Sequence, residues 1–221
     1  MRAEIRSEAG PNARAPQINK GIPRWADVTI AVIGLITLAP VIALLALAIA
    51  ASSGLPVFFR QKRVGQGGRL FELYKLRTMQ PNDEGVQITS RGDKRITRLG
   101  RFLRRSKLDE LPALWNVVRG DMALVGPRPE VPRYVKVSDP KWQMILQVRP
   151  GITDPVTLQL RNEEDLLARS NGDPEKYYLD ELQPSKLSGY VAYLQERTCR
   201  GDLRMLWRTF VDVATKNSVG V

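Results

Sequence analysis

The sequence predicts a helix-rich α/β fold of the α+β kind, attached to one N-terminal apolar helix. Three observations predict it. Val28 to Ala51 contains no charged residue, two β-prone runs flank a glycine cluster at 65–68, and four later segments carry apolar residues at helical spacing. At 221 residues the chain has room for one well-buried domain and an appendage, but not for two large domains.

Residues 1–20, with Gly10, Pro11 and Pro16 and no apolar period, read as a mobile tail. Residues 21–55 form the membrane element. The 24 uncharged residues from Val28 to Ala51 are enough to cross a bilayer at about 1.5 Å per residue. They are too many for a signal-peptide core and lack a cleavage site, so the segment is expected in the mature protein. Pro40 near its middle removes a helix hydrogen bond and predicts a kink. Arg14, Lys20 and Arg24 precede the segment while Arg60, Lys62 and Arg63 follow it, so the positive-inside bias places both ends on one side. A re-entrant helix satisfies that condition. An ordinary single-pass anchor that merely tolerates Pro40 is the competing reading.

Pro56-Val-Phe-Phe and Leu70 to Leu76 flank Gly65-Gln-Gly67-Gly68 and read as a hairpin. Met79 to Lys94 lacks a period and reads as a loop at the membrane surface. Arg95 to Arg105 sets Ile96, Leu99, Phe102 and Leu103 on one stripe among five arginines, a pattern suited to lipid headgroups. A second stripe, Leu108, Leu111, Leu114, Trp115 and Val118, starts at Ser106 or Asp109 as N-cap, has Pro112 in its first turn and ends at Gly120. Leu187 to Leu194 and Leu203 to Val211 give two more amphipathic helices. The expected division is a tail (1–20), a membrane helix (21–55), a catalytic core (56–153) and a C-terminal helical region packed on that core (154–221).

The net charge of +11 points to anionic partners. Residues 60–149 hold 20 Lys and Arg against 9 acids, which accounts for the whole excess. Nucleic acid is the poorer partner, because aromatics are only 7% of residues and no reading motif accompanies the charge. With no His, every His-based triad, general base or zinc site is excluded. The single Cys199 rules out an internal disulfide and fits a reducing, cytosolic setting.

The segment Arg104 to Pro112 places two adjacent carboxylates, Asp109 and Glu110, at an expected helix start behind a basic cluster. The helix dipole and nearby cations favour their charged forms, so at least one is an available nucleophile or metal ligand. Arg104, Arg105 and Lys107 with a divalent cation could neutralise the repulsion a carboxylate meets on attacking a phosphoryl group, and paired hard oxygens suit Mg²⁺. The residues equally allow a plainer reading, with Asp109 and Glu110 as helix caps and the basic run as a solvated face. Gly126-Pro127-Arg128-Pro129 is by itself a rigid turn presenting Arg128, and Lys75-Leu-Arg77 an exposed basic alternation.

Taken in order, Gly54-Leu-Pro-Val-Phe-Phe-Arg-Gln-Lys-Arg-Val-Gly65, Phe71 to Met79, Thr97 to Arg104, Leu108 to Val117 and Gly120 to Pro129 resemble the bacterial sugar transferase family, the small monotopic phosphoglycosyl transferases. The resemblance covers roughly residues 20 to 153. It implies a ping-pong reaction in which a UDP-sugar yields UMP and a covalent phosphosugar that passes to undecaprenyl phosphate, at the cytosolic face of a bacterial inner membrane. By motif position it implies Asp109 as nucleophile, Glu110 with Asp109 as Mg²⁺ ligands, and Arg104 on the phosphate. Pro127, Arg128 and Pro129 fall on the nucleotide side, and Lys75 and Arg77 against the donor phosphates. The family's Ser-Pro at the membrane-helix kink is Ala39-Pro40 here, and its Gly-x-Ala-Gln pattern is replaced after Thr153 by Asp154-Pro-Val-Thr. Phospholipid is the remaining expected partner, and a homo-oligomer is left open. Two other functions compete, a catalytically silent adaptor on anionic lipid and a nucleotide-sugar hydrolase.

Overall fold

The computed structural model describes residues 18–80, 93, 95–154, 156, 167 and 173–216. The expected tail and the expected loop at 79–94 lie mostly outside these residues. Helix α1, Arg24–Ser53, is a single helix with Pro40 inside it. It is unbroken at the proline, and Thr37 Oγ1 donates back to the carbonyls of Ile33 (2.8 Å) and Gly34 (3.2 Å), a bond that bends helices.

Both ends of α1 pack on the same body. Near its start, Ala31 is fully buried with Leu73, Ala113, Val117 and Leu124, and Arg24 donates to the carbonyls of Met122 and Val117. Near its end, Ile49 is buried with Leu76 and Leu103. Those contacts lie about 27 Å apart along the helix axis, at about 1.5 Å per residue. Between them Ile33, Ile36, Leu44 and Leu47 face outward, each more than half exposed. Among the described residues this is the one helix long and apolar enough to cross a membrane.

Strands β1, Phe58–Val64, and β2, Leu70–Leu76, pair antiparallel from Phe58↔Leu76 to Val64↔Leu70 around the glycine turn, so the expected hairpin is present. Helix α2 is Arg98–Ser106, three residues later at its start than the stripe implied. Thr97 is the N-cap, accepting from Gly100 N at 2.8 Å, because the preceding residues are used in a bridge between Met79 and Ile96. Leu103 is fully buried beside half-buried Leu99, while Phe102 and Arg98, Arg101 and Arg105 stay exposed.

Helix α3, Ala113–Arg119, ends at Gly120 with φ 95°. Strands β3, Ala123–Val125, and β4, Gly151–Thr153, form a parallel pair flanking α4, Pro140–Ile145. The C-terminal part has a short α5, Pro174–Tyr177, a wide helical turn at Tyr178–Leu182, α6, Gln183–Glu196, and α7, Cys199–Lys216. Leu187, Tyr190 and Leu194 of α6 bury against Trp142, Ile145 and Leu146, as their spacing requires. On α7, Leu206 packs inward while Leu203, Trp207 and Phe210 are exposed. The described residues form a helix-rich α+β architecture with two small sheets.

Candidate active site

The two carboxylates sit at a reversal of the chain. Ser106 closes α2 by donating to the Phe102 carbonyl at 2.9 Å, and Lys107 adopts a left-handed conformation (φ 57°). Leu108–Glu110 then make one 3₁₀ turn before Pro112 opens α3. The N-cap reading of Ser106 and Asp109 is therefore corrected: Ser106 ends one helix, and Asp109 makes no capping bond. The turn separates the two carboxylates into different surroundings.

Glu110 is balanced on both sides. Its Oε1 accepts from Lys75 Nζ at 2.7 Å and from Arg128 Nη2 at 2.5 Å. Burial alone would raise its pKa, but Arg128, Lys75 and Lys107 hold it well below the usual carboxylate range. The same burial pushes the Lys75 ammonium down, with Glu110 opposing.

Asp109 is 7% exposed, and its Oδ1 has no hydrogen-bond partner. Burial first, and the Glu110 charge second, push its carboxyl upward, against Lys75, Lys107 and Arg104. The expectation that dipole and cations favour both charged forms holds for Glu110 and fails for Asp109. The reason is that desolvation outweighs partial charges when no donor reaches the carboxylate.

Lys75 is placed by β2, and β2 is fastened by a residue that sequence reasoning passed over. Asn116 is fully buried; its Oδ1 accepts from Tyr74 N (3.1 Å) and its Nδ2 donates to the Glu72 carbonyl (2.6 Å). It clips α3 to the free edge of β2 and thereby sets Lys75 opposite Glu110. The available signal was its position: it shares a helical face with buried Ala113 and Val117, where an apolar residue is the norm.

Arg128 is placed by β3 and β4. A Cβ on Gly151 would come within 2.1 Å of Gly126 N, and one on Gly126 within 2.7 Å of the Arg149 carbonyl, so only glycine allows this approach. Pro127 is wholly buried, with its carbonyl accepting from Gly151 N (2.9 Å), and Pro129 is buried with its carbonyl accepting from Arg63 (3.0 Å). These two prolines shape the turn, whereas Arg128 reaches Glu110. Behind it, the Glu130 carboxylate accepts from Tyr178 OH, Val131 N and Arg63. Buried Asp154, which stands where the sequence departs from the family pattern, joins Glu110 in holding the Arg128 guanidinium charged.

The structure thus brings Asp109, Glu110, Lys75 and Arg128 together. Half-buried Arg104, one turn back on α2, contacts Met79 Sδ (3.7 Å) and acts on the Asp109 carboxyl through space. It does not bring Arg77 into the cluster. Arg77 is 7% exposed at the far end of α1, where its Nη2 donates to the carbonyls of Ser53 and Gly54, each at 2.6 Å. Pro40 lies in α1, apart from the cluster.

Among the described residues no three acidic or Cys side chains gather, and the carboxylates that stand together for a cation here are Asp109 and Glu110. Adjacent hard oxygens, one unpartnered, fit Mg²⁺ that takes its other ligands from phosphates and water. An anionic oxygen held dry among fixed cations is an arrangement suited to phosphoryl chemistry.

A sequence profile of the family described as Bacterial sugar transferase matches residues 18–216. The UDP-glucose:undecaprenyl-phosphate glucose-1-phosphate transferase of Caulobacter vibrioides is 34% identical, over 96% of this chain and 80% of that protein. The enzyme of the same name from Xanthomonas campestris is 44% identical over 58% of this chain and 28% of its own length. The UDP-N-acetylgalactosamine-undecaprenyl-phosphate N-acetylgalactosaminephosphotransferase of Aeromonas hydrophila is 42% identical over 60% of this chain and 32% of its own length. The match along nearly the whole chain, with the motif residues assembled around Glu110, makes this chain a member of the bacterial sugar transferase family.

Proposed function

We propose that the chain transfers a sugar-1-phosphate from a UDP-sugar to undecaprenyl phosphate, through a phospho-aspartyl intermediate on Asp109. The observation that carries this reading is the split pair: a buried carboxylate with an unpartnered oxygen, beside one already balanced by Lys75 and Arg128. In the first step an Asp109 oxygen attacks the phosphorus that bears the sugar. The bond from that phosphorus to the bridging oxygen breaks, and UMP leaves with the oxygen. In the second step an oxygen of the lipid phosphate attacks the same phosphorus, the aspartyl–phosphorus bond breaks, and the polyprenyl-diphosphate-sugar departs with Asp109 restored.

Both attacking groups are anionic oxygens, so the route needs no His to remove a proton. Arg104, Lys107, Lys75 and Arg128 offset the repulsion between carboxylate and diphosphate. Asp109 and Glu110 would hold Mg²⁺, which when bound would screen the diphosphate charge. Because burial and the Glu110 charge push the Asp109 carboxyl upward, the acid limb of kcat/KM is expected to be displaced upward from that of an ordinary aspartate.

The membrane placement belongs to the same reading. Docking of both ends of α1 on one body, with bend-promoting Pro40 and Thr37 between them, supports a re-entrant helix that enters and leaves on the cytosolic side of a bacterial inner membrane. Exposed Trp207 and Phe210 on α7, and Phe102 among the arginines of α2, support an interfacial seat for those helices. The relatives differ in the sugar they are named for, glucose or N-acetylgalactosamine, so the donor is assigned only as a UDP-sugar.

The test is UMP release from a panel of UDP-sugars by the purified protein with Mg²⁺, with and without undecaprenyl phosphate, beside Asp109→Asn. Turnover that needs the lipid phosphate and Asp109 is expected. Sustained release without lipid would make the protein a hydrolase, and lipid binding with no release from any donor would make it a silent adaptor.

A further inference from the structure

We propose that Arg77 is the seat for the phosphate of the lipid acceptor, a second anion site next to the one at Asp109 and Glu110; this rests on the transferase reading above. Arg77 is a buried guanidinium without a counter-ion. Among the described residues no carboxylate pairs with it, and of its three nitrogens only Nη2 is bonded, to the Ser53 and Gly54 carbonyls. Nε and Nη1 are shut off from solvent with no partner. Each bidentate edge of a guanidinium includes Nη2, so a phosphate that takes the place of the two carbonyls on Nη2 reaches an orphaned donor beside it, which is the fork a phosphate matches.

Its position selects which phosphate. Arg77 N donates to the Val57 carbonyl at 2.9 Å, so the extended backbone of β2 runs one residue past Leu76. Alternation then sets Arg77 on the same side of β2 as Lys75, roughly 7 Å along the strand. Lys75 meets Glu110, and Arg77 meets the end of α1. That end is where the apolar helix hands over to exposed Leu55, Phe58 and Phe59. A phosphate tethered to a polyprenyl chain arrives along that apolar surface, whereas a nucleotide arrives from water on the charged side.

Admission of the phosphate needs room at the helix end. Gly54 carries one of the two carbonyls that Arg77 holds, a Cβ there would touch nothing within 4 Å, and Leu55 is 78% exposed. Besides Arg77, the segment leaving α1 is held by Gly54 N on the Ala50 carbonyl (3.0 Å) and by Val57 packed on Ile49, Leu76 and Leu103, while Leu55 between them is open to solvent. Phosphate oxygens can replace those carbonyls on the guanidinium without disturbing the core.

The two half-reactions separate the possibilities. Purified enzyme in detergent with Mg²⁺ and UDP-sugar, without acceptor, gives a stoichiometric burst of UMP; a ten-carbon polyprenyl phosphate then drives turnover. Arg77→Gln is expected to keep the burst and to raise the KM for that acceptor by about tenfold or more, with Arg77→Lys recovering part of the loss. Binding of both variants to phosphatidylglycerol vesicles is expected to match the unaltered protein. An unchanged acceptor KM, or a loss confined to the burst, overturns the assignment, the second by moving Arg77 to the donor. Equal losses in both half-reactions reduce Arg77 to a cap for α1, and weaker vesicle binding makes a phospholipid headgroup its ligand; either outcome also overturns it. If Arg77→Gln fails to fold, Arg77→Lys in the same pair of measurements decides. Absence of a burst from the unaltered enzyme is a separate result, and counts against the transferase reading instead.

Discussion

Two buried aspartates in this chain, Asp202 and Asp109, show opposite ways of hiding a charge. Asp202 is fully buried and saturated: Oδ1 accepts from Tyr193 OH at 2.7 Å, while Oδ2 accepts from Arg197 Nε (2.8 Å) and Nη2 (2.8 Å) and from Ile22 N at 3.3 Å. Arg197 continues to the Val125 carbonyl at 2.8 Å, so this knot ties the approach to α1, α7 and β3 into one piece. Asp109 is nearly as buried, yet its Oδ1 accepts from nothing. Saturation suits a carboxylate that holds the fold, and an open valence suits the chemistry proposed for Asp109.

The largest expected effect tests the open member. Asp109→Asn should lower UMP release by about a thousandfold or more, about 4 kcal/mol in barrier, while thermal unfolding stays where it was or rises. A retained rate would erase the distinction drawn between the two sites. The saturated member should show the reverse pattern. Asp202→Ala strands a buried guanidinium, so unfolding monitored by circular dichroism should show a loss of about 3–5 kcal/mol. A change below about 1 kcal/mol would mean that the knot is ornamental.

Subtler is Lys75→Met, which removes a positive charge that lowers the Asp109 pKa. The carboxyl then titrates higher still, so the acid limb of kcat/KM should move to higher pH, the direction a steady-state profile reads. A shift to lower pH would show that the limb belongs to another group. The smallest effect should come from Trp207→Ser on α7, which lies far from either carboxylate in sequence. Vesicle binding should weaken by less than about tenfold, since α1 keeps its own apolar surface, and UMP release in detergent should hold. A full loss of binding would make α7 the principal anchor.

Local order was legible in the sequence and long-range order was not. The uncharged run at 28–51, the glycine turn of the hairpin, the stop at Gly120 and the α6 stripe all act within a few residues, and each is present. The adjacency of Asp109 and Glu110 was also visible, but their division into a balanced and an unbalanced carboxylate was not, because it depends on Lys75 and Arg128 arriving from elsewhere in the chain. Asp202 in sequence looks like any acid among arginines, and Arg77 like any basic residue at a strand end. The β3–β4 pairing joins segments about 25 residues apart across a proline turn and a helix, and such contacts leave no period to read.

An anchor that served only as a tether could be exchanged for any other apolar helix. Helix α1 cannot, because Ala31 has no exposed surface, a Cβ at Gly34 would come within 3.2 Å of Leu114 Cδ1, and Ile49 fills the space beside Leu76 and Leu103. A chimaera carrying a foreign helix would reach the membrane and lose the shelf against which β2 and α3 align Lys75 and Glu110. In this chain the apolar helix long enough to cross a membrane also braces the turn that carries Asp109 and Glu110, and neither property can be edited alone.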